Sequence, residues 1–409
     1  MDNKIHVVAR VIYVSYLCEF MGRVNMLKSD FESFKAHQYC DNPLCAAHGL
    51  VGGGNLTTHS IVQGQVRCKT CKGKPFSVRK GTMFFDCRTP LHRIVTCLTQ
   101  LASGSGVNVV CRNEQVDGKT LRSWIVLAAA QVSAFTAHMQ QDMSLSEVQI
   151  DEFWSYIKKK NDNLTDEEKA AGLVDTEVAD NQGDRWGFVA ICPDSSFIQT
   201  VLNGKRTLEN ATQFVGEIKA KSDGKAPLFS SDDWFYEKAL LASYGEEYTP
   251  PYSGRGRYPH TYLVPSADLR YVQVTKKRDA KGNIIEVGSK IVYGTAEAIE
   301  AHYTSAKRSK HINTDYVESR NGKFRLRCAR LIRKGLCFSK KAVFHDATIV
   351  FIAQVFNYCQ PVAALKRCIN PLAARFERKY QQVSAAMAEN LIDKILTIKE
   401  LLTIRPKPI

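Results

Sequence analysis

The chain is short of three features that would place it in common protein classes. It lacks an apolar run that could cross a bilayer, because the apolar segment 7–20 carries Arg10 and Glu19 and has no small-residue cleavage site. Its thirteen cysteines are odd in number and mostly occur singly, which is typical of reduced thiols in the cytosol. Acidic residues are scarce, 41 against 56 Lys and Arg. We therefore expect neither a membrane span nor a disulfide framework.

The excess of basic residues restricts the choice of partner. The formal net charge is +15 over 409 residues, a length that can hold two or three domains. A surplus of this size favours a polyanionic partner, nucleic acid first, while a basic surface without a ligand is the alternative.

Four cysteines in residues 36–89 have the spacing of a zinc ribbon. They are Cys40, Cys45, Cys68 and Cys71. The second pair has the tight spacing that lets two thiolates bind one tetrahedral ion, and the first pair is looser. His48 and His59 are alternative ligands. A redox-active second pair is the competing interpretation, but no βαβ pattern surrounds it, so we predict structural zinc.

Residues 90–135 carry apolar residues at helical spacing, interrupted by two glycines. The third predicted helix, from Lys119 to Ala130, turns Lys119 and Arg122 outward. Helix, turn and helix with exposed basic residues are typical of a module that places its last helix in the major groove of DNA. A helical packing module without DNA is the alternative. The polar residues 136–146 are predicted to form a linker.

Three carboxylates follow or accompany strongly patterned segments. Asp151 follows an alternating apolar run and is predicted at the end of a strand. Asp232 follows a second apolar strand, and Glu318 lies in a basic helix predicted from about Thr314 to Lys334. Carboxylates are hard oxygen ligands that bind Mg²⁺ or Mn²⁺, and paired ions of this kind serve phosphodiester chemistry.

Four ordered motifs resemble those of the DDE transposases of bacterial and archaeal insertion sequences, specifically the insertion-sequence-one family. The motifs are Asp151–Ser155, Gly183–Trp186, Ser231–Trp234 and Asn313–Asn321, and the basic stretch Arg325–Lys341 continues the match. The resemblance covers residues from about 40 to about 355. In the family pattern Thr-Asp-Gly-Trp, Asp232 aligns with the ligand and Asp233 with the glycine. The chain also lacks two histidines that the family carries near its end.

The resemblance implies metal-dependent cleavage of DNA at an element's ends, followed by transfer of the freed strand to target DNA. Asp151, Asp232 and Glu318 are then the catalytic residues and the ligands of two Mg²⁺ or Mn²⁺ ions. The expected DNA contacts are Lys119, Arg122, Arg325, Arg327, Arg330 and Arg333. For the last four, a solvated charged face is the alternative.

The resemblance, together with the order of predicted strands and helices, implies an α/β catalytic domain of the ribonuclease-H-like type with a mixed sheet. The expected divisions are an N-terminal extension 1–35, the zinc ribbon 36–89, a helix-turn-helix-like domain 90–135, a linker 136–146, a catalytic domain 147–360 with an insert 245–311, and C-terminal helices 361–409.

We also expect a homo-oligomer on double-stranded DNA in the cytoplasm, associated with the nucleoid. Two rival hypotheses remain open. One is a decayed transposase that acts only as a DNA-binding protein through residues 36–135, and the other is a ribonuclease-H-like nuclease without strand transfer.

Overall fold

A computed structural model describes residues 26–232, 235–332, 335 and 337–406. The chain divides into two compact units. The first takes its described residues from Met1–Gln100, Val110–His138 and Leu396–Ile409, and the second takes Leu101–Val109 and Met139–Ile395.

The first unit combines helices with a small antiparallel sheet. Its elements, some crossing the unit boundary by a few residues, are α1 (Lys28–Lys35), β1 (Leu56–Ser60), β2 (Gln65–Cys68), β3 (Phe76–Ser77), α2 (Leu91–Ala102), α3 (Val107–Glu114) and α4 (Gly118–Met139). Phe31 and Phe34 of α1 are fully buried, and the ring of Phe34 meets that of Phe84 edge to face at 5.6 Å. Phe31 and Phe34 therefore anchor residues 26–35, the described part of the predicted extension, to this unit.

The second unit is a mixed α/β structure. Its elements up to the last strand of the main sheet are β4 (Glu147–Ile157), α5 (Asp166–Val174), α6 (Thr176–Asp180), β5 (Gly183–Cys192), β6 (Phe197–Gly204), α7 (Leu208–Lys221), β7 (Leu228–Ser231), α8 (Tyr236–Tyr244), β8 (Gly245–Tyr248), β9 (Tyr262–Pro265), β10 (Arg270–Arg278) and β11 (Ile284–Tyr293). The elements that follow are α9 (Ala296–Ser305), α10 (Asp315–Arg327), α11 (Ala342–Gln354), β12 (Arg367–Cys368), β13 (Tyr380–Gln381) and α12 (Ala385–Ala388). The final helix α13 (Ile398–Thr403) lies in the first unit.

Six strands form the main sheet in the order β11-β10-β7-β4-β5-β6. The first three in the chain, β4, β5 and β6, are antiparallel neighbours, with the predicted hairpin at Pro193 and Asp194 between the last two. Strand β7 then pairs parallel with β4, and β10 pairs parallel with β7. Strand β11 closes this edge as the antiparallel partner of β10.

The sheet buries one face against α10 and α11. Phe153, Val189 and Ile198 of the sheet share a core with Val317 and Phe324 of α10, with Ile349 of α11 and with Phe356 in the turn that follows α11. Each such side chain stabilises the fold by about 1.5–3 kcal/mol when it is fully buried. This packing holds α10, the helix that carries Glu318, against the strand that carries Asp151.

Two helix predictions were wrong in their bounds. The helix predicted to reach Lys334 ends at Arg327, because Cys328 is extended and the buried Leu331 turns the chain inward through a short 3₁₀ turn. Helix α4 runs on to Met139, through the first part of the predicted linker, because Val132 and Phe135 continue its buried face and no glycine or proline stops it.

The stretch 245–311, predicted to be an insert, contributes two strands to the main sheet. The strands expected there are present, but β10 pairs with β7 and so forms the sheet's fifth strand in chain order. Only β8 and β9 form a separate two-stranded sheet. Local sequence identifies a strand, but its partner lies more than 40 residues away in the chain and cannot be deduced from local pattern.

The C-terminal helix predicted from Val383 to Leu402 is also absent: α12 and α13 are short and belong to different units. Arg405 explains why the end of the chain belongs to the first unit. Its guanidinium lies 3.9 Å from the centre of the Tyr39 ring and pairs with Asp41.

Among the described residues, the segment Ala342–Cys359 is long and apolar enough to cross a membrane. Because 72% of it is buried inside the protein, as in an ordinary core helix, it is weak evidence for a membrane span. The apolar segment 7–20 lies outside the described residues.

Candidate functional site

The four predicted zinc ligands come together in the first unit. The Sγ atoms of Cys40 and Cys71 are 3.7 Å apart, those of Cys45 and Cys68 are 3.8 Å apart, and all four lie within 4.8 Å of one another. Zinc–sulfur bonds of about 2.3 Å in a tetrahedron place neighbouring sulfurs about 3.8 Å apart, so the arrangement fits one zinc ion. The four cysteines can therefore bind a structural metal.

The local backbone shapes this cluster. Cys68 ends β2, and the following turn brings the Lys72 amide to the Cys68 carbonyl at 3.1 Å. Although burial acts in the opposite direction, the backbone amides of Cys71 and Thr70 lower the pKa of the Cys68 thiol to about 6. A thiolate is the form that binds zinc. Within the described residues the cluster contains only cysteines, so neither alternative histidine is a ligand.

Asp151 lies in β4, and Asp232 directly follows the neighbouring parallel strand β7. The pairing of β4 with β7 ends where Ile150 stands opposite Ser231, and each aspartate is the next residue in its chain. The prediction that Asp151 lies at the end of its strand was wrong. It lies inside β4, which continues to pair with β5 as far as Tyr156. The end of β7 thus exposes one edge of β4 beside the two aspartates.

A buried glutamine fixes α10 above this point. The Gln149 Oε1 atom accepts hydrogen bonds from the backbone amides of Tyr316 at 3.1 Å and Val317 at 3.3 Å, in the first turn of α10. These amides lack partners within the helix, as they do at every helix start. The Gln149 Nε2 atom donates to the Asn313 side chain at 3.0 Å, and Asn313 accepts from the Asp315 amide. Gln149 therefore sets the position of the helix that carries Glu318.

A glycine allows α10 to pack closely on the sheet. Gly187 stands opposite Phe153 across β4 and β5, and a Cβ atom at this position would lie 2.3 Å from the Phe153 ring. The Phe153 ring in turn packs against Phe324 of α10, with their centres 5.4 Å apart. A side chain at position 187 would push Phe153 toward the helix.

Glu318 and Asp232 both contact one lysine, which the sequence analysis did not identify. The Lys276 Nζ atom of β10 lies 3.2 Å from Asp232 Oδ2 and also contacts Glu318 Oε1. The Thr314 hydroxyl donates to the same Glu318 oxygen at 2.8 Å. Although burial acts in the opposite direction, Lys276 and Thr314 hold the pKa of Glu318 below its usual value. Within the described residues, the three carboxylates do not form a group of ligands as tight as the cysteines.

Asp151 is held by a second residue that was not assigned a role. The Asn321 amide of α10 donates to Asp151 Oδ2 at 2.8 Å. Burial, together with the negative charges of Asp232 and Glu318, raises the pKa of Asp151 to about 6. Asn321 lies three residues after Glu318, so the face of α10 that carries Glu318 also contacts Asp151. That spacing was a signal in the sequence. No comparable signal marked Lys276, since its partners lie on other elements.

The predicted DNA-binding residues are divided between the two units. Lys119 is exposed and Arg122 half-buried in the first two turns of α4, in the first unit. In the second unit, Arg325 and Arg327 are half-buried in the last turn of α10. Arg330 follows that helix and donates to the Ser339 hydroxyl at 3.2 Å. Arg333 and Asp233 lie outside the described residues.

Two further motif residues have structural partners. Arg185, of the second motif, is buried and its Nε atom donates to Asp346 of α11 at 2.8 Å. Ser155, of the first motif, is buried and donates to the Arg185 carbonyl at 2.7 Å, while its hydroxyl also lies 3.0 Å from His345. These contacts join β4, β5 and α11.

No family model matches this chain, and no curated protein shows detectable similarity to it. What the protein does is therefore inferred from the geometry of its own residues.

Proposed function

We propose that this protein is a DNA transposase of the DDE type, in which Asp151, Asp232 and Glu318 form the catalytic site. The observation that supports it most directly is the placement of the acids. Asp151 lies in β4, Asp232 directly follows the neighbouring parallel strand β7, and Glu318 lies on a helix whose start is hydrogen-bonded to β4. One lysine contacts the second and third acids together.

The strand order also supports this proposal. Three antiparallel strands, then two parallel strands added on the other side of the first, form the sheet of a ribonuclease-H-like domain. Strands β6-β5-β4-β7-β10 follow this order, and β11 extends it. In such a sheet, acids on the first and fourth strands lie close together, and β4 and β7 are these strands here.

The donor set suits a hard divalent cation. Three carboxylates and a side-chain amide offer oxygen ligands of the kind that Mg²⁺ and Mn²⁺ prefer. Asp151 is largely buried beside a like charge, which is costly unless a cation lies nearby. Asp151, Asp232 and Glu318 would hold the two ions. When bound, such ions lower the pKa of an attacking water or hydroxyl and stabilise the charge on the phosphate.

The chain's own residues supply position and charge. Asn321 and Thr314 fix the orientation of Asp151 and Glu318. Arg325 follows Glu318 by two helical turns on α10, so a phosphodiester between them would meet positive charge. No side chain is needed as nucleophile, because ions held by these acids would supply the activation of a water for strand cleavage and of the freed 3′-OH for strand transfer.

DNA recognition is assigned to the first unit. The cysteine cluster with zinc holds one part of it, and α3, a turn and α4 provide a helix pair whose second member begins with Lys119 and Arg122. The Asp117 side chain accepts from the Lys119 amide at 2.7 Å and fixes the start of α4. We place the protein on double-stranded DNA as a homo-oligomer, in association with the nucleoid.

Cleavage and joining assays test the proposal. Purified full-length protein with Mn²⁺ should nick DNA from the flanks of its own coding sequence and join pre-cut ends to a second duplex. Asp232→Asn should abolish both reactions and leave DNA binding intact, with Asp233→Asn far milder. If Asp233→Asn is the inactive variant, Asp233 is the ligand. If neither change alters nicking, the carboxylates are not the catalytic site.

A second candidate is a DNA-binding protein without catalysis. The observation that favours it is Lys276, which already neutralises two of the acids. Complete absence of Mn²⁺-dependent nicking, with DNA binding retained, would support this candidate. Nicking without joining of pre-cut ends would instead indicate a nuclease.

A further inference from the structure

We propose that Lys276 is a built-in counter-cation that competes with divalent metal for Asp232 and Glu318 and is displaced when metal binds. This inference rests on the proposed function only in treating these acids as a divalent-metal site. It adds a positioning residue that neither the motifs nor the spacing of the acids indicated.

Lys276 of β10 connects the end of β7 to α10. Its Nζ atom reaches Asp232, the residue after β7, at 3.2 Å and Glu318, in the first turn of α10. Its side chain is only 17% exposed, while those of Asp232 and Glu318 are 31% and 42% exposed. The side chain of Lys276 is therefore more shielded from water than the side chains of its two acidic partners.

The neighbouring Lys277 shows that this placement is specific. Lys277 lies on the opposite face of β10, where its side chain is 71% exposed and pairs with Glu286 of β11 at 2.7 Å. The two lysines have the same charge and adjoining positions, but only Lys276 contacts the acids.

The ammonium lies between Asp232 Oδ2 and Glu318 Oε1, where a divalent ion that bridges the two carboxylates would also lie. Metal–oxygen bonds to Mg²⁺ are about 2.1 Å long, so an ion bound to Asp232 and Glu318 would occupy the space of the ammonium. The two cations also repel each other at such short range. Metal binding thus requires Lys276 to leave, and its flexible four-carbon chain permits this.

Displacement has two consequences for the site. Without metal, Lys276 keeps the acids of β7 and α10 from repelling each other, and so holds the site in shape. With metal, the released ammonium remains at the rim of the site, where a DNA phosphate is the natural anionic partner. Lys276 therefore couples metal binding to substrate binding.

The first experiment measures Mn²⁺ binding to the full-length zinc-loaded protein by electron paramagnetic resonance of the free ion. Lys276→Met should tighten binding at the carboxylate site by about fivefold to tenfold, because the competing state is removed. Lys276→Arg should not tighten it. Lys277→Met, which makes the same change in net charge, should alter it by less than about twofold. The carboxylate site is defined as the binding that Asp232→Asn abolishes.

The second experiment does not depend on a variant. Brief acetylation followed by mass spectrometry should label Lys276 several times faster when the wild-type protein is saturated with Mg²⁺. Lys277 should be labelled equally with and without Mg²⁺. Protection of Lys276 that Mg²⁺ does not relieve would overturn the inference.

The outcomes separate this inference from the proposed function. If Mn²⁺ binding depends on Asp232 but is unchanged in Lys276→Met, the inference fails and the metal site stands. If Mn²⁺ binding is unaffected by Asp232→Asn, the proposed metal site fails and the inference with it.

Discussion

Replacing Gln149 by methionine should loosen α10 from the sheet. Gln149 is fully buried, and its side chain makes the contacts that join the start of α10 to β4. Methionine has nearly the same length but can neither accept from the amides of Tyr316 and Val317 nor donate to Asn313. The variant therefore removes hydrogen bonds while changing volume little.

The magnitude follows from the groups left without partners. The Val317 amide would become a buried donor without an acceptor, and the Tyr316 amide a partly buried one. A buried unpaired donor costs about 1–3 kcal/mol, and a partly buried one less because water can reach it. We expect Gln149→Met to lower the free energy of unfolding of the second unit by about 3 kcal/mol.

Urea denaturation of the full-length protein measures this change, and hydrogen exchange of a peptide spanning residues 313–320 locates it. Gln213→Met is the matched control, because Gln213 is exposed on α7 and its side chain contacts only Glu217 at 3.1 Å in the described structure. The control should change stability by less than about 0.5 kcal/mol. A loss in Gln149→Met as small as that of the control, with unchanged exchange at the start of α10, would refute the anchoring role.

Three further predictions concern other parts of the molecule. Cys68→Ser should reduce the bound zinc below one ion per chain, measured by elemental analysis, and should lower the melting temperature of the first unit, measured by calorimetry. Cys368→Ser, at an exposed position, should change neither. Lys119→Ala and Arg122→Ala should each weaken DNA binding and make its salt dependence less steep, as measured by fluorescence anisotropy; an unchanged slope would mean that α4 does not contact phosphate. Burial and the charges of Arg185 and Arg330 lower the pKa of His345 to about 3, so its neutral form is favoured in the folded state. The stability that His345 contributes is therefore present above its unfolded pKa near 6.5 and falls by about 3 kcal/mol between pH 6.5 and pH 4. Urea denaturation of His345→Gln over the same pH range should lack this loss of unfolding free energy.

Local chemistry was predictable where residues close in the chain act together. The tight pair Cys68 and Cys71 indicated a metal knuckle, and the structure places both in the cysteine cluster. Thr165 and Glu168 indicated a capping box, which is present at the start of α5, although the helix ends at Val174 and not at the predicted Gly172. Each of these features depends on backbone geometry within one turn, so the sequence pattern carries most of the information.

Contacts between distant segments were beyond such patterns. The sequence pattern indicates a strand from Arg270 to Lys277, and the pairing of β10 with β7 brings the Lys276 ammonium to Asp232 and Glu318. In the same way, Asp151 lies inside β4 because β4 continues to pair with β5 as far as Tyr156. The pairing of β4 with β7 ends earlier, at Ile150. Strand register is set by the sum of many side-chain contacts across the sheet, and no short motif contains that sum.

The sequence by itself thus determined the kinds of element and the residue types available for chemistry: a cysteine cluster for metal, three acids near strand ends and a helix, and a strongly basic chain. The tertiary structure decided which of these residues meet. It joined the C-terminal segment to the first unit, made β10 part of the main sheet, and placed Gln149, Asn321 and Lys276 around the acids. The physical reason is that alternation and helical spacing are local properties of the chain, whereas burial and ion pairing depend on which surfaces the fold brings together.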